Sequence, residues 1–206
     1  MVNQEQVLEI LHAVGEKITE EKLFLTELDN VIGDGDHGIN LARGFAEIEK
    51  KRPMEGKDIG TMLKTAGMAL VSTVGGASGP LYGTAFMQAG KALAGKTELD
   101  AQDLVTILDA FVAGVQLRGK SVAGEKTMLD AMIPARDAVK AALDAGKSAK
   151  DALVDGVAAA EQGVAHTKTI IATKGRASYL GERSLGHQDP GATSFTTMLK
   201  VVAERV

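Results

Sequence analysis

The 206-residue sequence contains no cysteine and no tryptophan, and aromatic residues make up only 3% of it. The absence of cysteine excludes disulfides, thiolate nucleophiles and zinc sites built on thiolates, and it is typical of proteins from a reducing compartment. With so few aromatic rings, the core has to be filled by aliphatic side chains, alanine and methionine. We therefore expect a cytoplasmic protein whose helices approach one another closely.

Strong charge of either sign is also missing, since the formal net charge is only -4. No overall basic field attracts nucleic acid or an anionic membrane. Hydrophobic residues make up 45% of the chain against 24% charged residues, which is typical of a folded globular protein, and we expect a single domain over residues 1–206. The first residues mix acids with apolar residues, unlike a secretory signal. The uncharged residues 65–90 contain several glycines and Pro80, which favour two buried helices joined by a glycine loop over a membrane span.

Apolar residues recur at helical spacing along most of the chain, and the alternation typical of strands is absent. The predicted fold class is therefore all-α. Helices are predicted near residues 3–30 with a break around Glu20, and near 38–51, 58–74, 79–94, 100–118, 127–145, 148–172 and 190–204. Three starts carry an N-cap residue followed by an acid three positions later, namely Asp100 with Asp103, Thr127 with Asp130, and Ser148 with Asp151.

Two glycine patterns imitate nucleotide-binding motifs. Residues 90–97, GKALAGKT, match the phosphate-loop pattern, but no strand precedes them and no helix starts directly after them, so we expect a helix end and a turn that carries Lys96. Residues 33–38, GDGDHG, match the dinucleotide fingerprint. There, Asp34 and Asp36 would face a pyrophosphate without compensation, so metal binding explains these residues better.

Three carboxylates, those of Asp29, Asp34 and Asp36, fall within eight residues. Such crowding of like charges is unfavourable unless a cation lies among them. A calcium loop of the helix-loop-helix kind needs an acid or amide at position 38 and a glutamate at position 45, where this chain has Gly38 and Phe45. The pattern favours magnesium, whose coordination is often completed by phosphate oxygens.

A simpler interpretation is that Asp36 alone caps the helix that starts near Gly38. Capping leaves Asp29 and Asp34 unexplained, so we prefer the metal site. For His37 two roles stay open, because its imidazole can either contact phosphate or hold the turn together.

Two further helix starts resemble the one after residue 37. Residues 74–80, VGGASGP, place Ser78 as a cap and Pro80 inside the next helix, and Asp189 and Pro190 begin the last one. Three such N-termini are able to surround a polyphosphate with their positive dipole ends, although each one separately also has a purely structural explanation. Residues 174–187 combine cations with glycines, as in a lid over an anionic ligand or in a solvated surface loop.

Several motifs together resemble those of a known family. They are DNVIGDGDHGIN at 29–40, VGGASGPLYG at 74–83, RGK at 118–120, KTM at 126–128 and KGRASYLGERSLGHQDPGATS at 174–194. In this order they resemble the nucleotide-binding, or L, subunit of dihydroxyacetone kinases over the whole chain. The resemblance implies a closed up-and-down barrel of eight antiparallel helices with a nucleotide at one end.

The resemblance also implies which residues form the site. Asp29, Asp34 and Asp36 would coordinate magnesium, as two ions that bridge the phosphates. His37, Gly38, Ile39 and Asn40 would line the phosphate side, together with Ala77 and Ser78. Gly119, Met128, Arg176, Asp189, Pro190 and Gly191 would enclose the rest of the nucleotide. No covalent nucleophile is expected in this subunit, because phosphoryl transfer depends mainly on positioning and charge neutralisation.

In such systems ADP stays bound as a cofactor, a phosphohistidine M subunit of the phosphotransferase system phosphorylates it, and a separate K subunit holds dihydroxyacetone. The resemblance therefore implies a phosphoryl-carrying subunit with ADP or ATP and Mg²⁺ as cofactors. Alternatives of the same fold are a kinase domain that exchanges ATP freely and a nucleotide domain that serves a fatty-acid kinase. A third alternative, from another class, is a regulatory module that holds nucleotide and docks on a transcription factor.

Overall fold

The computed structural model describes residues 1–51 and 56–206, and in these residues the fold is all-helical, as predicted. The elements are β1 (Val2–Asn3), α1 (Gln4–Glu20), α2 (Lys22–Ile32), α3 (His37–Lys50), α4 (Ile59–Thr73), α5 (Ser78–Ala92), β2 (Glu98–Leu99), α6 (Ala101–Gly119), α7 (Leu129–Asp144), α8 (Ala149–Thr167), a 3-10 segment (Arg176–Ser184) and α9 (Pro190–Arg205). No helix in this part of the chain is long and apolar enough to cross a bilayer. The uncharged residues 65–90 contribute instead to α4, a glycine turn and α5.

Most helix starts lie close to the predicted positions. The predicted break near Glu20 separates α1 from α2. At the starts of α6 and α8, the predicted caps Asp100 and Ser148 each accept a hydrogen bond from the backbone amide three residues later. Side-chain caps of this kind satisfy amides that have no partner in the first turn of a helix.

The predicted cap Thr127 lies one residue before the cap position of α7, and its hydroxyl accepts from the amide of Leu129 at 3.3 Å. Met128 occupies the cap position of α7 and makes no side-chain capping bond. The Asp130 carboxylate instead accepts from the amides of Thr127, at 2.8 Å, and Gly124, at 2.5 Å. Asp130 therefore braces the preceding loop from inside the helix.

Helix α8 ends at Thr167, short of the predicted residue 172. The next residues include the β-branched Thr169, Ile170 and Ile171, which favour helix less than straight-chain residues do. The carbonyl oxygens of Thr167 and Ile170 accept from the Lys126 ammonium, which gives the helix end a partner from another loop. Sequence periodicity carries no sign of this contact.

A short strand pair was not predicted. Val2 pairs with Leu99 and Asn3 pairs with Glu98 in an antiparallel arrangement of two residues on each side. Two residues are too few to give a visible alternation. Asn3 then forms a capping box with Gln6 at the start of α1, so the pair fixes where the first helix begins.

Eight of the helices contact one another in order around the molecule. From α3 to α9 each helix packs against the next, α9 packs against α1, and α1 packs against α3. Helix α2 contacts α3 and α9 and leads from α1 into the acidic loop. A single large cluster of buried hydrophobic side chains takes members from each helix from α1 to α9. This arrangement places the starts of α3, α5 and α9 around one cavity, which is described below.

Helices α4 and α5 pack closely against each other, and glycines make that approach possible. A Cβ on Gly67 would lie 2.6 Å from the carbonyl oxygen of Gly83, and a Cβ on Gly83 would lie 2.8 Å from that of Gly67. Gly60 and Gly90 form a second reciprocal pair, at 2.6 and 2.5 Å. The two backbones are therefore in contact, as expected from a core with few aromatic rings.

Residues 90–97 form a helix end and a turn, as predicted. Helix α5 ends at Ala92, and the Lys96 ammonium lies 2.5 Å from a carboxylate oxygen of Asp103 in α6. The Lys96 carbonyl accepts from the amide of Ile59 at 2.8 Å. The Lys96 ammonium is thus paired with Asp103 of α6, and Lys96 does not line the cavity described below.

Replacing Gly67 by alanine should destabilise the protein although alanine is the better helix former by about 1 kcal/mol. The new methyl group would press on the backbone of α5, which cannot rotate away, and we expect a net loss of about 2 kcal/mol in the free energy of unfolding. Urea denaturation followed by circular dichroism measures it. Ser72→Ala, at an exposed position of the same helix, is the control. Equal stability of the two variants would contradict the close approach of α4 and α5.

Candidate functional site

A cavity of about 490 Å³ opens where α3, α5 and α9 begin and where α2 and α6 end. Its volume lies within the roughly 300–1,000 Å³ of small-molecule sites. Of the residues expected at the site, the cavity is lined by Asp29, Asp34, Asp36, His37, Ala77, Ser78, Gly119, Met128, Arg176, Asp189, Pro190 and Gly191. The structure thus brings together parts of the chain as far apart as Asp29 and Gly191.

Gly38, Ile39 and Asn40 do not line the cavity. Gly38 packs against the backbone of α2, where an added Cβ would overlap the carbonyl oxygen of Lys22. Ile39 points partly to solvent, and Asn40 is buried one turn behind the loop. Of the other residues that line the cavity, Ser121 lies outside the motifs quoted from the sequence. Ile32, Leu81, Lys126 and Lys174 lie inside those motifs but had no individual ligand contact assigned to them.

The three predicted metal ligands lie close to one another. One carboxylate oxygen from each of Asp29, Asp34 and Asp36 can be chosen so that all three lie within 4.8 Å of one another. Asp29 is buried in the last turn of α2, Asp36 is half-buried and Asp34 is exposed. Oxygen donors at this spacing suit a hard divalent cation such as Mg²⁺.

Asp29 also shapes the loop that carries the other two carboxylates. Its Oδ2 atom accepts from the amides of Asp36, at 2.9 Å, and His37, at 3.1 Å. Asp36 stands at the cap position of α3 but its own side chain makes no capping bond. The interpretation of Asp36 as a simple helix cap is therefore wrong, because Asp29 performs that role from the preceding helix.

The buried imidazole of His37 connects the start of α3 to α5 and α9 by hydrogen bonds. Its Nδ1 atom lies 2.8 Å from the Ser78 hydroxyl of α5, and its Nε2 atom lies 2.9 Å from the Ser194 hydroxyl of α9. Burial lowers the pKa of the imidazole to about 4, against the opposing effect of the Asp29 and Asp34 carboxylates. The metal-free protein thus carries a neutral His37 at physiological pH, with both ring nitrogens in hydrogen bonds.

A second hydroxyl extends this network. Tyr82 Oη lies 2.8 Å from Ser194 Oγ and donates to the carbonyl oxygen of Gly191 at 3.2 Å. Burial raises the pKa of Tyr82 far above its ordinary value. Ser78 was expected to cap α5, but it is the first helical residue and its hydroxyl bonds to His37 instead. The network ties the starts of α3, α5 and α9 to one another.

Asn40 provides a test of whether these residues fit an anionic ligand. Its Oδ1 atom accepts from Arg43 at 2.6 Å, whereas its buried Nδ2 atom has no hydrogen-bond partner among residues 1–51 and 56–206. A Cβ on Gly75 would lie 3.2 Å from that nitrogen, so the free donor faces the glycine turn before α5. An unsatisfied donor, a glycine turn and three helix N-termini fit phosphate oxygens, and the carboxylates fit the accompanying cation.

The loop of residues 168–189 covers one side of the cavity. Its Arg176 guanidinium lies 2.9 Å from the Asp34 carboxylate, and residues 174–177 line the cavity. A small apolar cluster of Ile32, Ala172 and Ala177, joined by Leu180, attaches the loop to the end of α2. The predicted lid over the ligand therefore has a direct contact with the acidic loop.

Asp189 caps α9, as predicted, by accepting from the amide of Ala192 at 2.7 Å. Burial raises the pKa of its carboxyl group to about 7, while the Ala192 amide and the Lys126 ammonium act in the opposite direction. A carboxyl group with this pKa changes its charge near neutral pH, unlike an aspartate in a model peptide.

Comparison with known proteins identifies a family for this chain. Residues 31–204 match the DAK2 domain family. The chain is 48% identical over 203 residues to the ADP-binding subunit of PEP-dependent dihydroxyacetone kinase 1 of Listeria innocua, covering 98% of this chain and 96% of that protein. It is 42% identical to the corresponding subunit of Escherichia coli, covering 98% and 97%.

The fold matches part of a solved kinase. The dihydroxyacetone kinase of C. freundii in complex with AMP-PNP and Mg²⁺ superposes with a TM-score of 0.71 and 26% sequence identity over 95% of this chain. The present chain spans only 33% of the length of that kinase chain. The all-helical architecture is therefore shared with one part of a larger protein.

In metal-free protein, replacing Asp29 by alanine and replacing Asp34 by alanine should change the free energy of unfolding by different amounts. Asp29→Ala leaves the amides of Asp36 and His37 without their acceptor, and we expect a loss of about 1–3 kcal/mol in the free energy of unfolding. Asp34→Ala removes an exposed ion pair and one repelling charge, so we expect a change within about 0.5 kcal/mol. Urea denaturation in the presence of a chelator measures both. Equal losses would contradict the structural role given to Asp29.

Asp189→Asn should change how stability depends on pH. Between about pH 4 and 7 the unfolded wild-type chain releases the Asp189 proton before the folded protein does, so this group lowers wild-type stability progressively as pH rises. Asparagine can still cap α9 but carries no titrating proton. We expect the variant to gain stability relative to wild type from pH 4 to pH 7, measured by urea denaturation without metal or nucleotide. His37 contributes equally to the pH dependence of both proteins. Parallel curves of the free energy of unfolding against pH would therefore contradict a raised pKa of Asp189.

Proposed function

Because the chain belongs to the DAK2 domain family, we propose that it is the ADP-binding, phosphoryl-carrying subunit of a phosphotransferase-system-dependent dihydroxyacetone kinase. Relatives that carry this name match the chain over almost their full length. The observation that carries the proposal is the cluster of Asp29, Asp34 and Asp36 beside three helix N-termini in one cavity. Carboxylates and free amides in this arrangement suit a nucleotide that is bound through divalent metal.

In this proposal each side of the cavity has a separate role. The three aspartates hold magnesium, as two ions, which would supply neutralisation of phosphate charge. The phosphate side would comprise His37, Gly38, Ile39 and Asn40 of the first turn of α3, with Ala77 and Ser78. Of these, His37, Ala77 and Ser78 line the cavity, and the Asn40 donor faces the glycine turn from behind it. The remaining nucleotide contacts come from Gly119, Met128, Arg176, Asp189, Pro190 and Gly191, all of which line the cavity.

The order of helix contacts supports a closed barrel. Since α9 packs against α1 and each helix from α3 onward packs against its neighbour, we propose an up-and-down barrel of eight helices, with α2 outside it and the nucleotide at one end. The rigid barrel would then act as the scaffold, and the loops at one end would carry the function.

The chain is proposed to hold ADP while a phosphohistidine M subunit of the phosphotransferase system phosphorylates it. The chain would then present the phosphorylated nucleotide to dihydroxyacetone on a K subunit. Its own contribution would be positioning and electrostatic stabilisation, because the Ser78 hydroxyl and the His37 imidazole at the cavity are already engaged in hydrogen bonds. A cytoplasmic location fits these partners and the absence of cysteine.

Heat denaturation of purified protein should release about one ADP per chain, because the proposed role requires a retained cofactor. Asp34→Ala and Asp36→Ala should lower this occupancy at least about tenfold, since each removes a charged metal ligand. Lys96→Ala, in the segment that imitates a phosphate loop, should keep wild-type occupancy. Chromatography of the released nucleotide gives the result. Wild-type protein that carries and binds no nucleotide would refute the proposal.

Two functional assays separate the alternatives. Rapid exchange of labelled nucleotide would favour the ATP-exchanging kinase of the same fold over a retained cofactor. Formation of dihydroxyacetone phosphate after mixing with K and M partners and a phosphoryl source would favour the phosphoryl carrier. Tight nucleotide binding without product, with both partners active in a control reaction, would favour a regulatory module.

A further inference from the structure

Lys126 is a buried cation that no role described so far uses. Its side chain is only 1% exposed, and its ammonium donates to three backbone carbonyl oxygens. The acceptors are those of Thr167, of Ile170 at 3.3 Å and of His187 at 2.6 Å. Burial lowers the pKa of the ammonium, whereas the nearby Asp189 and Asp130 carboxylates raise it. A buried lysine is costly unless all its donors have partners, and here the three carbonyls supply them.

The three carbonyls belong to the two ends of the same loop. Thr167 is the last residue of α8 and Ile170 follows it, at the start of the 168–189 loop. His187 lies at the other end, just before the cap of α9. One ammonium therefore holds together the entry and the exit of the loop that carries Arg176 over the cavity. A backbone bond from the Gly186 amide to the Lys168 carbonyl, at 2.8 Å, closes the same neck.

The backbone that presents Lys126 is held in an unusual conformation. Lys126 has a φ angle of +61°, and Lys120 is the one other non-glycine residue of the described chain with positive φ. Such a conformation is rare for residues with a side chain and persists where surrounding contacts enforce it. Here the Asp130 carboxylate holds the amides of Gly124 and Thr127, on both sides of Lys126.

The body of the loop has few other anchors. Ala172, Ala177 and Ser184 are its only fully buried members among residues 168–187, and Arg176 reaches the exposed Asp34. Segments with little burial open locally at low cost in free energy. The order of this loop should therefore depend strongly on the charged hydrogen bonds at its neck.

We propose that Lys126 is a positioning residue that keeps the 168–189 loop closed over the cavity and thereby slows release of the bound nucleotide. The proposal rests on the proposed function for the identity of the ligand, but its effect on the loop does not. Lys126 acts through the loop backbone and contacts neither metal nor phosphate in this scheme. Residues 174–177 are the part of the loop that this contact keeps at the mouth of the cavity.

Lys126→Met tests the proposal, because methionine fills most of the volume and leaves the three carbonyls without a donor. Lys120→Met is the matched control: it removes the same charge from the same loop at an exposed residue with φ of +50° and no side-chain hydrogen bond in the described chain. Trypsin cleavage at Lys174, Arg176 and Arg183 reports loop opening in chelator-treated, ligand-free protein. Release of labelled ADP from Mg²⁺-loaded protein reports retention. Both are measured well below the melting temperature.

We expect Lys126→Met to accelerate both loop cleavage and ADP release at least about tenfold, the scale of losing charged hydrogen bonds, and Lys120→Met to match wild type. Equal ADP release from Lys126→Met and Lys120→Met would overturn the proposal, whatever the cleavage rates. Faster release without faster cleavage would also overturn it. If wild-type protein binds no ADP, the proposed function fails, whereas the cleavage comparison still decides whether Lys126 closes the loop.

Lys126→Arg keeps the test decisive if the methionine variant does not fold. A guanidinium retains the positive charge but cannot place its donors at the same point. The rates of loop cleavage and of ADP release should therefore lie between those of wild type and those expected for a free loop. Wild-type rates for Lys126→Arg, combined with an unfolded Lys126→Met, would mean that the charge supports the whole fold and would overturn the positioning role.

Discussion

The carboxylate of Asp29 is the interaction on which the site depends. Its Oδ2 atom holds the amides of Asp36 and His37, which turns the chain from α2 into α3. Its Oδ1 atom stays accessible because residue 33 is glycine, and a Cβ there would overlap this oxygen. One oxygen thus fixes the loop while the other is free for a cation. The loop geometry and the proposed metal affinity consequently share a single side chain, and neither is independent of the other.

The buried hydroxyl network gives the three helix starts a fixed relation. His37 from α3 bonds to Ser78 of α5 and to Ser194 of α9, and Tyr82 completes the connection. A fully satisfied buried polar network specifies one arrangement, because every alternative leaves a polar group without a partner. Since His37 is neutral near pH 7 in the metal-free protein, the network adds no charge to the cavity. The positive potential for an anion then comes from the helix N-termini and the surrounding cations.

Periodicity and spacing predicted the parts of the structure that depend on local sequence. Helical repeats located the helices to within a few residues, and the spacing of Asp29, Asp34 and Asp36 indicated a cluster that the structure brings together. Contacts between distant segments left no such pattern. The hydroxyl of Ser78 looked like a helix cap, and its bond to His37 depends on how α5 packs against α3. Lys126 belonged to a quoted motif, but its burial was not predictable, because a lysine in a polar loop is ordinarily exposed, and only the folded chain surrounds it with carbonyls.

The charges around the cavity connect the proposed metal site with the 168–189 loop. Four acids and four bases line it: Asp29, Asp34, Asp36 and Asp189 against Arg118, Lys126, Lys174 and Arg176. Lys126 is engaged with backbone carbonyls and Arg176 with Asp34, so half of the cations are already occupied. A nucleoside diphosphate adds further negative charge beside these carboxylates, which is unfavourable without divalent cations between the two. In the proposed site Asp34 would be a magnesium ligand, and Arg176 would then be available to the phosphates. The single ion pair between Arg176 and Asp34 would thus couple metal binding to the position of the loop.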